Sequence, residues 1–212
     1  MRGKTCAVWV ALLWFGVCAC PLEANMVFPL EIIDCAARCC DSPDLNMYVE
    51  VIDGGQDQVD FTFYNDSLIS SSVARIYFDD DSGLLSGVAG IDGLGVSFVQ
   101  STSPLNLPGV GFLDPPFDAT SDFGFAVEHP LPANGINPGQ WAKITFDMAC
   151  GRTLYDVIDA LDTGTLRAGV RVLTLPEGLF SSAVTVPAPE PATLLLFGTA
   201  GMWLLTRKRR SV

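Results

Sequence analysis

The stretch MYVEVIDGGQDQVDFTFY, Met47–Tyr64, decides the fold that we expect for this chain. Its two ends, Met47–Ile52 and Val59–Tyr64, alternate apolar and polar side chains, which is typical of strands with one buried face. The residues Asp53-Gly54-Gly55 between them favour a tight turn. The stretch therefore predicts an antiparallel hairpin.

The same alternation recurs along the chain and predicts further short strands at 73–78, 84–88, 95–99, 123–127, 141–148, 166–173 and 182–186. Several short strands separated by Gly, Pro, Asn and Asp are typical of an antiparallel β-sandwich. One helix is expected over Thr153–Leu161, where apolar residues fall on one face and Thr153 can cap the N-terminus. The segment Gln100–Ser121 contains four prolines and is expected to be a long surface loop. We therefore expect an all-β sandwich domain with one short helix over residues 25–185.

Charge excludes one class of partner for this domain. The whole chain carries 24 acidic and 12 basic residues, a formal net charge of -12. Because six of the bases lie near the two ends, residues 25–185 keep 22 acids against six bases. Such a surface repels phosphate backbones, so nucleic-acid binding is not expected. It suits a domain outside the cytoplasm or one that meets cations.

Residues 1–24 have the layout of a Sec signal peptide. Arg2 and Lys4 supply the positive start, Ala7–Val17 is an apolar run, and small residues follow it. Cleavage is expected after Ala19 or after Ala24. Two alternatives stay open, acylation of Cys20 and an uncleaved anchor, although the apolar run is short for a span. We expect export across the inner membrane by the Sec machinery.

Residues 186–212 predict a second targeting segment. A Pro-rich stalk is followed by an uncharged apolar run at 192–206 and by four bases, Arg207, Lys208, Arg209 and Arg210. Prolines lack the N–H group that a strand needs, so the stalk should be extended and exposed. A helix over 192–206 would be ~23 Å long against a ~30 Å hydrocarbon core. The bases should stay cytoplasmic, which leaves the domain outside.

The order of Pro189-Glu190-Pro191, a short apolar helix and Arg207–Arg210 resembles the PEP-CTERM sorting signal, and PEPATLLL at Pro189–Leu196 matches its common form. The resemblance implies that exosortase, an integral-membrane cysteine protease/transpeptidase of Gram-negative bacteria, recognises and processes this segment. It also implies a transient stay in the inner membrane, followed by release to the cell envelope or the extracellular space. The remaining alternative is a plain single-span anchor with a Pro-rich stalk.

Seven cysteines are present, and four of them fall within the domain: Cys35, Cys39, Cys40 and Cys150. An even number in an oxidising compartment predicts two disulfides. Adjacent cysteines form a strained bridge, so Cys39 and Cys40 should not pair with each other. One of the three cysteines at 35–40 is therefore expected to bond with Cys150, and a thiolate metal cluster is the alternative.

Little in the domain points to catalysis. The single histidine, His129, precedes Pro130 and is expected in a loop, and no serine lies in a nucleophile-elbow pattern. The run Asp79-Asp80-Asp81 follows a predicted strand, and clustered carboxylates can bind calcium. No other cofactor is expected.

Two functions of different classes are consistent with these features. The first is an exported noncatalytic protein of the envelope or extracellular matrix, associated with extracellular polysaccharide. The second is an envelope enzyme that acts on glycans through carboxylates such as Asp79, Asp80 or Asp81. The absence of a second histidine and of a nucleophile motif favours the first, and a membrane-anchored binding domain is its plainest variant.

Overall fold

The computed structural model describes residues 26–35, 44–101, 106–175 and 179–186. In these ranges the chain forms ten strands, one α-helix and one 3-10 turn. The strands are β1 Met26–Cys35, β2 Met47–Gly55, β3 Gln58–Asn65, β4 Ser72–Asp80, β5 Leu85–Gly93, β6 Phe98–Ser101, β7 Gly124–Val127, β8 Gln140–Met148, β9 Leu166–Leu175 and β10 Leu179–Thr185. The helix α1 is Leu154–Thr163 and the 3-10 turn is Val110–Phe112.

The ten described strands form one antiparallel sheet in the order β5-β8-β3-β2-β1-β10-β9-β4-β7-β6. Strand β1 divides it, because residues 26–29 pair with β2 whereas residues 30–35 pair with β10. We call β2, β3, β5 and β8 the β3 half, and β4, β6, β7, β9 and β10 the β9 half. The chain thus folds one sheet over on itself at β1.

Phenylalanines from both halves meet in the core between them. Phe78 of β4 lies edge-on to Phe61 of β3 and Phe146 of β8, with ring centroids 5.0 and 4.8 Å apart. Phe125 of β7 adds a contact to Phe146 at 6.0 Å. Edge-to-face pairs of this kind stabilise a core beyond the area they bury. Aromatic packing around Phe78 therefore joins the two halves within a core that also contains many aliphatic side chains.

Helix α1 follows from its sequence as expected. The Thr153 hydroxyl accepts a bond from the Asp156 N–H, and the Asp156 carboxylate accepts one from the Thr153 N–H, a complete capping box. Gly164 ends the helix in a left-handed conformation, with φ of 74°. Val157 and Leu161 are buried, and the helix packs against β9 and β2.

The structure confirms an all-β domain with one helix, and it confirms the predicted hairpin as β2 and β3. It refines the sandwich prediction, because the two facing layers belong to one continuous sheet. Strand β1 was not predicted, since Pro29 interrupts its pattern. Pro29 is tolerated at the point where β1 changes partners from β2 to β10.

The targeting segments lie outside the described residues. They are the signal peptide at 1–24 and the tail, with its apolar run at 192–206. Within the described ranges, none of the helical segments is long and apolar enough to cross a membrane. The division of the chain into 1–24, 25–185 and 186–212 stays a prediction.

Candidate functional site

The outer face of the β9 half carries three cross-strand rows of residues between β4 and β9. The register places Arg75 opposite Arg171, Tyr77 opposite Gly169, and Asp79 opposite Arg167. Because side chains alternate between faces of a strand, Ile76 and Phe78 point instead into the core. These rows are the floor of the candidate site.

Asp79 and Arg167 form a buried ion pair at one end of this floor. Arg167 Nη2 lies 2.5 Å from Asp79 Oδ2, and the two residues are 8% and 2% exposed. Burial raises the pKa of the Asp79 carboxyl, whereas bonds from the Asp118 N–H and from Arg167 act in the opposite direction. The pair is therefore desolvated, and each buried charge is stabilised by the opposite charge of its partner.

The same pair anchors the loop that follows β6. Arg167 donates to the carbonyl oxygens of Pro115 and Pro116 at 2.7 and 2.6 Å, and the Asp118 N–H donates to Asp79 at 3.0 Å. The segment at 106–121 consequently lies across the sheet instead of extending into solvent. It was predicted as a surface loop, but Leu107 and Phe117 are buried in it.

Gly169 makes room for this loop in the middle row. A Cβ atom at Gly169 would collide with Leu107 Cδ1 and would lie 3.1 Å from Phe117 Cζ. Leu107 and Phe117 pack there with Tyr77 and Val184 in a small second core outside the sheet. This cluster makes one wall of the site a fixed part of the fold.

We expect Gly169→Ala to destabilise the protein by about 1–3 kcal/mol, because the added methyl group overpacks the second core. Denaturant unfolding of the purified full chain would measure the change. Gly87→Ala in β5 is the matched control, since a Cβ there meets nothing within 4 Å. Equal stability of the two variants would show that the loop does not press on Gly169.

A cleft of about 500 Å³ opens beside this wall. Its basic lining residues are Arg75, Arg171 and His129, and its polar and apolar lining residues are Ala74, Tyr77, Asn106, Pro108, Ala126, Val127, Leu131 and Leu173. The volume falls within the ~300–1,000 Å³ that is typical of small-ligand sites. Two arginines in one cleft stand out in a domain that carries so few bases.

Arg171 is held in place at the floor of the cleft. Its guanidinium carbon lies 4.5 Å from the centroid of the Phe180 ring, which is a cation–π contact. Its Nη1 atom is buried and has no hydrogen-bond partner among the described residues, and neither has Ser182 Oγ opposite it. Arg75 Nη1 donates to the Tyr77 hydroxyl at 3.3 Å.

The aspartates predicted to bind calcium do not converge. Asp79 is paired with Arg167, and Asp80 accepts bonds from the Ser82 hydroxyl and from the N–H groups of Leu84 and Leu85. Asp81 is exposed. In the described part of the chain, no group of three or more His, Cys, Asp or Glu residues is placed to hold a metal. Asp79 and Asp80 therefore already accept bonds from protein donors, and calcium binding at Asp79–Asp81 stays a prediction.

The predicted bridge to Cys150 is not formed, because Cys150 is free and exposed. It follows β8 in the β3 half, whereas Cys35 ends the part of β1 that pairs with β10 in the other half. The Cys35 side chain, Cys39 and Cys40 lie outside what is described. So does the predicted sorting segment, Pro189, Glu190, Pro191 and Arg207–Arg210.

Sequence reasoning missed the arginine pair. Arg75 and Arg171 both lie in predicted strands, but 95 residues separate them in the sequence. Their proximity follows only from the pairing of β4 with β9, which local patterns do not predict. His129 was predicted in a loop and is an exposed residue of the cleft rim.

A row of polar aromatic residues on the outer face of the β3 half is a second candidate surface. Tyr48 stacks on Tyr64 with ring centroids 5.0 Å apart, and Trp141 continues the row on β8. The hydroxyls donate to Asp66 and Glu50. Burial and the Asp66 carboxylate raise the pKa of Tyr48 to about 12. Both hydroxyls are committed to carboxylates, so the cleft remains the better ligand site.

Comparison with known proteins adds three findings. No curated protein sequence matches the chain. A solved structure titled "pH-induced modulation of Streptococcus parasanguinis adhesion by Fap1 fimbriae" is 10% identical, covers 79% of this chain and 98% of its own, and has a TM-score of 0.40. A likeness at this score carries no argument about fold or function. Residues 187–210 match the family model of the PEP-CTERM protein-sorting motif, and the chain therefore carries that motif at the position its sequence predicts.

Proposed function

We propose that this chain is an exported, noncatalytic protein of the cell envelope or extracellular matrix, which exosortase sorts through residues 187–210 and which associates with extracellular polysaccharide. The sorting motif at 187–210 is the observation that carries the proposal. It implies processing by exosortase and export ahead of that processing. The signal-peptide pattern at 1–24 supports the same route.

The tail acts in this proposal as a temporary membrane anchor. A helix over the uncharged run at 192–206 would be ~23 Å long, which is shorter than the ~30 Å hydrocarbon core. Snorkelling of Arg207–Arg210 makes up part of the difference. Pro189-Glu190-Pro191 lies between this run and the folded domain in the sequence, where we expect a membrane protease to reach it.

The noncatalytic role is supported by the way the carboxylates are used. The alternative, a glycan-active enzyme, needs two carboxyl groups free to act on either side of a glycosidic bond. Asp79 is instead neutralised by Arg167, and both oxygens of Asp80 accept bonds from its own loop. The cleft of the β9 half is lined by cations and apolar groups, which suits binding.

We expect the mature protein to end near Pro189–Pro191, because exosortase should cut the tail at the stalk. Mass spectrometry of the protein recovered from exosortase-positive cells would locate the new C-terminus. Deletion of exosortase should leave the uncut chain in the inner membrane.

Two variants separate recognition of the motif from the presence of an exposed stalk. Replacing Pro189-Glu190-Pro191 by three alanines should leave the chain uncut, whereas Pro187→Ala should be processed normally. A chain that still ends at Val212 in exosortase-positive cells would contradict the proposed sorting.

A further inference from the structure

The opposed arginines of the cleft pose an electrostatic problem. Arg75 and Arg171 lie directly opposite each other on β4 and β9, and like charges in such positions destabilise an antiparallel pair. Among the described residues, the only ion pairs are Lys143–Asp60 and Arg167–Asp79, so neither cleft arginine has a carboxylate partner. Asp34 lies in the same cross-strand row, opposite Ser182, but it forms an ion pair with neither Arg75 nor Arg171. A bound anion would resolve the repulsion.

Unused hydrogen-bond donors point to the same place. Arg171 Nη1 is buried without a partner, and a buried unsatisfied donor costs free energy. Arg75 uses Nη1 on the Tyr77 hydroxyl and is otherwise exposed. Guanidinium groups bind carboxylate oxygens through paired N–H groups, and Arg75 and Arg171 present two of them on neighbouring strands.

We propose that this cleft binds a sugar acid, with the carboxylate of one uronic-acid residue held between Arg75 and Arg171. The inference rests on the proposed noncatalytic binding role and names its ligand class. The Leu131 side chain, 43% exposed, and Leu173 offer apolar surface for the C–H faces of a sugar ring. Asn106 and His129 offer polar groups for its hydroxyls.

The surrounding charge restricts the ligand further. A domain with 22 acids and six bases repels a dense polyanion, so a single carboxylate in an otherwise neutral glycan fits better than a polyuronate. The cleft also lies on the face of the sheet, between strands that are already paired on both sides. An acidic peptide could therefore not bind by adding a strand.

The test is isothermal titration calorimetry of the purified full chain with a disaccharide of glucuronate linked to a neutral hexose. Binding is expected, and it should weaken as salt is added. The neutral disaccharide with a hydroxymethyl group in place of the carboxylate should bind at least about tenfold more weakly, since it loses the charge-assisted bonds. Arg171→Gln and Arg75→Gln should each cause a similar loss.

Controls show whether a loss of binding is specific. Arg152→Gln removes a charge from an exposed turn outside the cleft and should leave the affinity unchanged. Arg75→Gln should not lower the melting temperature, because it relieves the like-charge contact. A lower melting temperature together with unchanged binding would show that Arg75 is structural and would overturn the assignment.

Four other outcomes would also overturn it. They are no binding of the glucuronate disaccharide, equal binding of its neutral counterpart, tighter binding of an acidic hexapeptide, and equal binding of inorganic sulfate. Hydrolysis of the disaccharide would contradict the proposed noncatalytic function, whereas failure to bind in a protein whose tail is cut normally would overturn only this inference.

Discussion

Phe78→Ala is expected to lower the free energy of unfolding by about 3–5 kcal/mol, because it empties the centre of the core. The Phe78 ring is fully buried and contacts aromatic rings in both halves of the sheet, Phe61 and Phe146 in the β3 half and Phe125 in the β9 half. Removing the ring leaves an internal cavity between the two halves of the sheet. Urea unfolding of the purified full chain, followed by tryptophan fluorescence, would measure the loss.

Two control variants separate packing from general sensitivity. Phe78→Leu keeps an apolar side chain of comparable size and should cost clearly less than Phe78→Ala. Leu68→Ala removes a side chain that is 85% exposed and should change stability by less than about 0.5 kcal/mol. If Phe78→Ala cost no more than Leu68→Ala, the described contact between the halves would be wrong.

The elements of the fold were largely predictable, because they depend on local patterns. Alternation over Met47–Tyr64 predicts a hairpin that the structure contains, and Thr153 begins the helix as its capping chemistry requires. Strand β1 was missed for an equally local reason. Pro29 breaks the alternation, although the change of strand partner at this point tolerates it.

The cleft was not predictable, because it depends on register between distant strands. Nothing near Arg75 in the sequence indicates that Arg171 lies opposite it. The partner of Asp79 was not predictable for the same reason. Its sequence neighbours Asp80 and Asp81 suggested a cation site. Its actual partner, Arg167, is 88 residues away. Local acidity is therefore a poor guide to the role of a buried carboxylate.

Arg167→Met should destabilise the protein by about 3–5 kcal/mol at neutral pH, because it leaves the Asp79 carboxylate buried without its counterion. Asp79 is 2% exposed, and Arg167 also donates to Pro115 and Pro116. The loop at 106–121 should therefore be cut faster by proteases in this variant. Denaturant unfolding and limited proteolysis of the purified full chain would measure the two effects.

The pH dependence of the stability lost in Arg167→Met tests whether the broken ion pair causes that loss. Burial already raises the pKa of Asp79 above 3.8, and loss of the guanidinium raises it further. The folded state of the variant therefore binds a proton at Asp79 at a pH where the unfolded chain has released it. As a result the variant loses stability as the pH rises through this window, and its deficit is smallest in acid.

The matched control for this titration is Arg167→Met combined with Asp79→Asn. Without an ionisable group at position 79, the deficit should no longer grow as the pH rises above 3.8. Some deficit should remain at every pH, because the carbonyl oxygens of Pro115 and Pro116 still lack the donor that Arg167 supplied. If the single and double variants had parallel pH profiles, the loss would come from the loop contacts alone, and the buried charge of Asp79 would have no part in it.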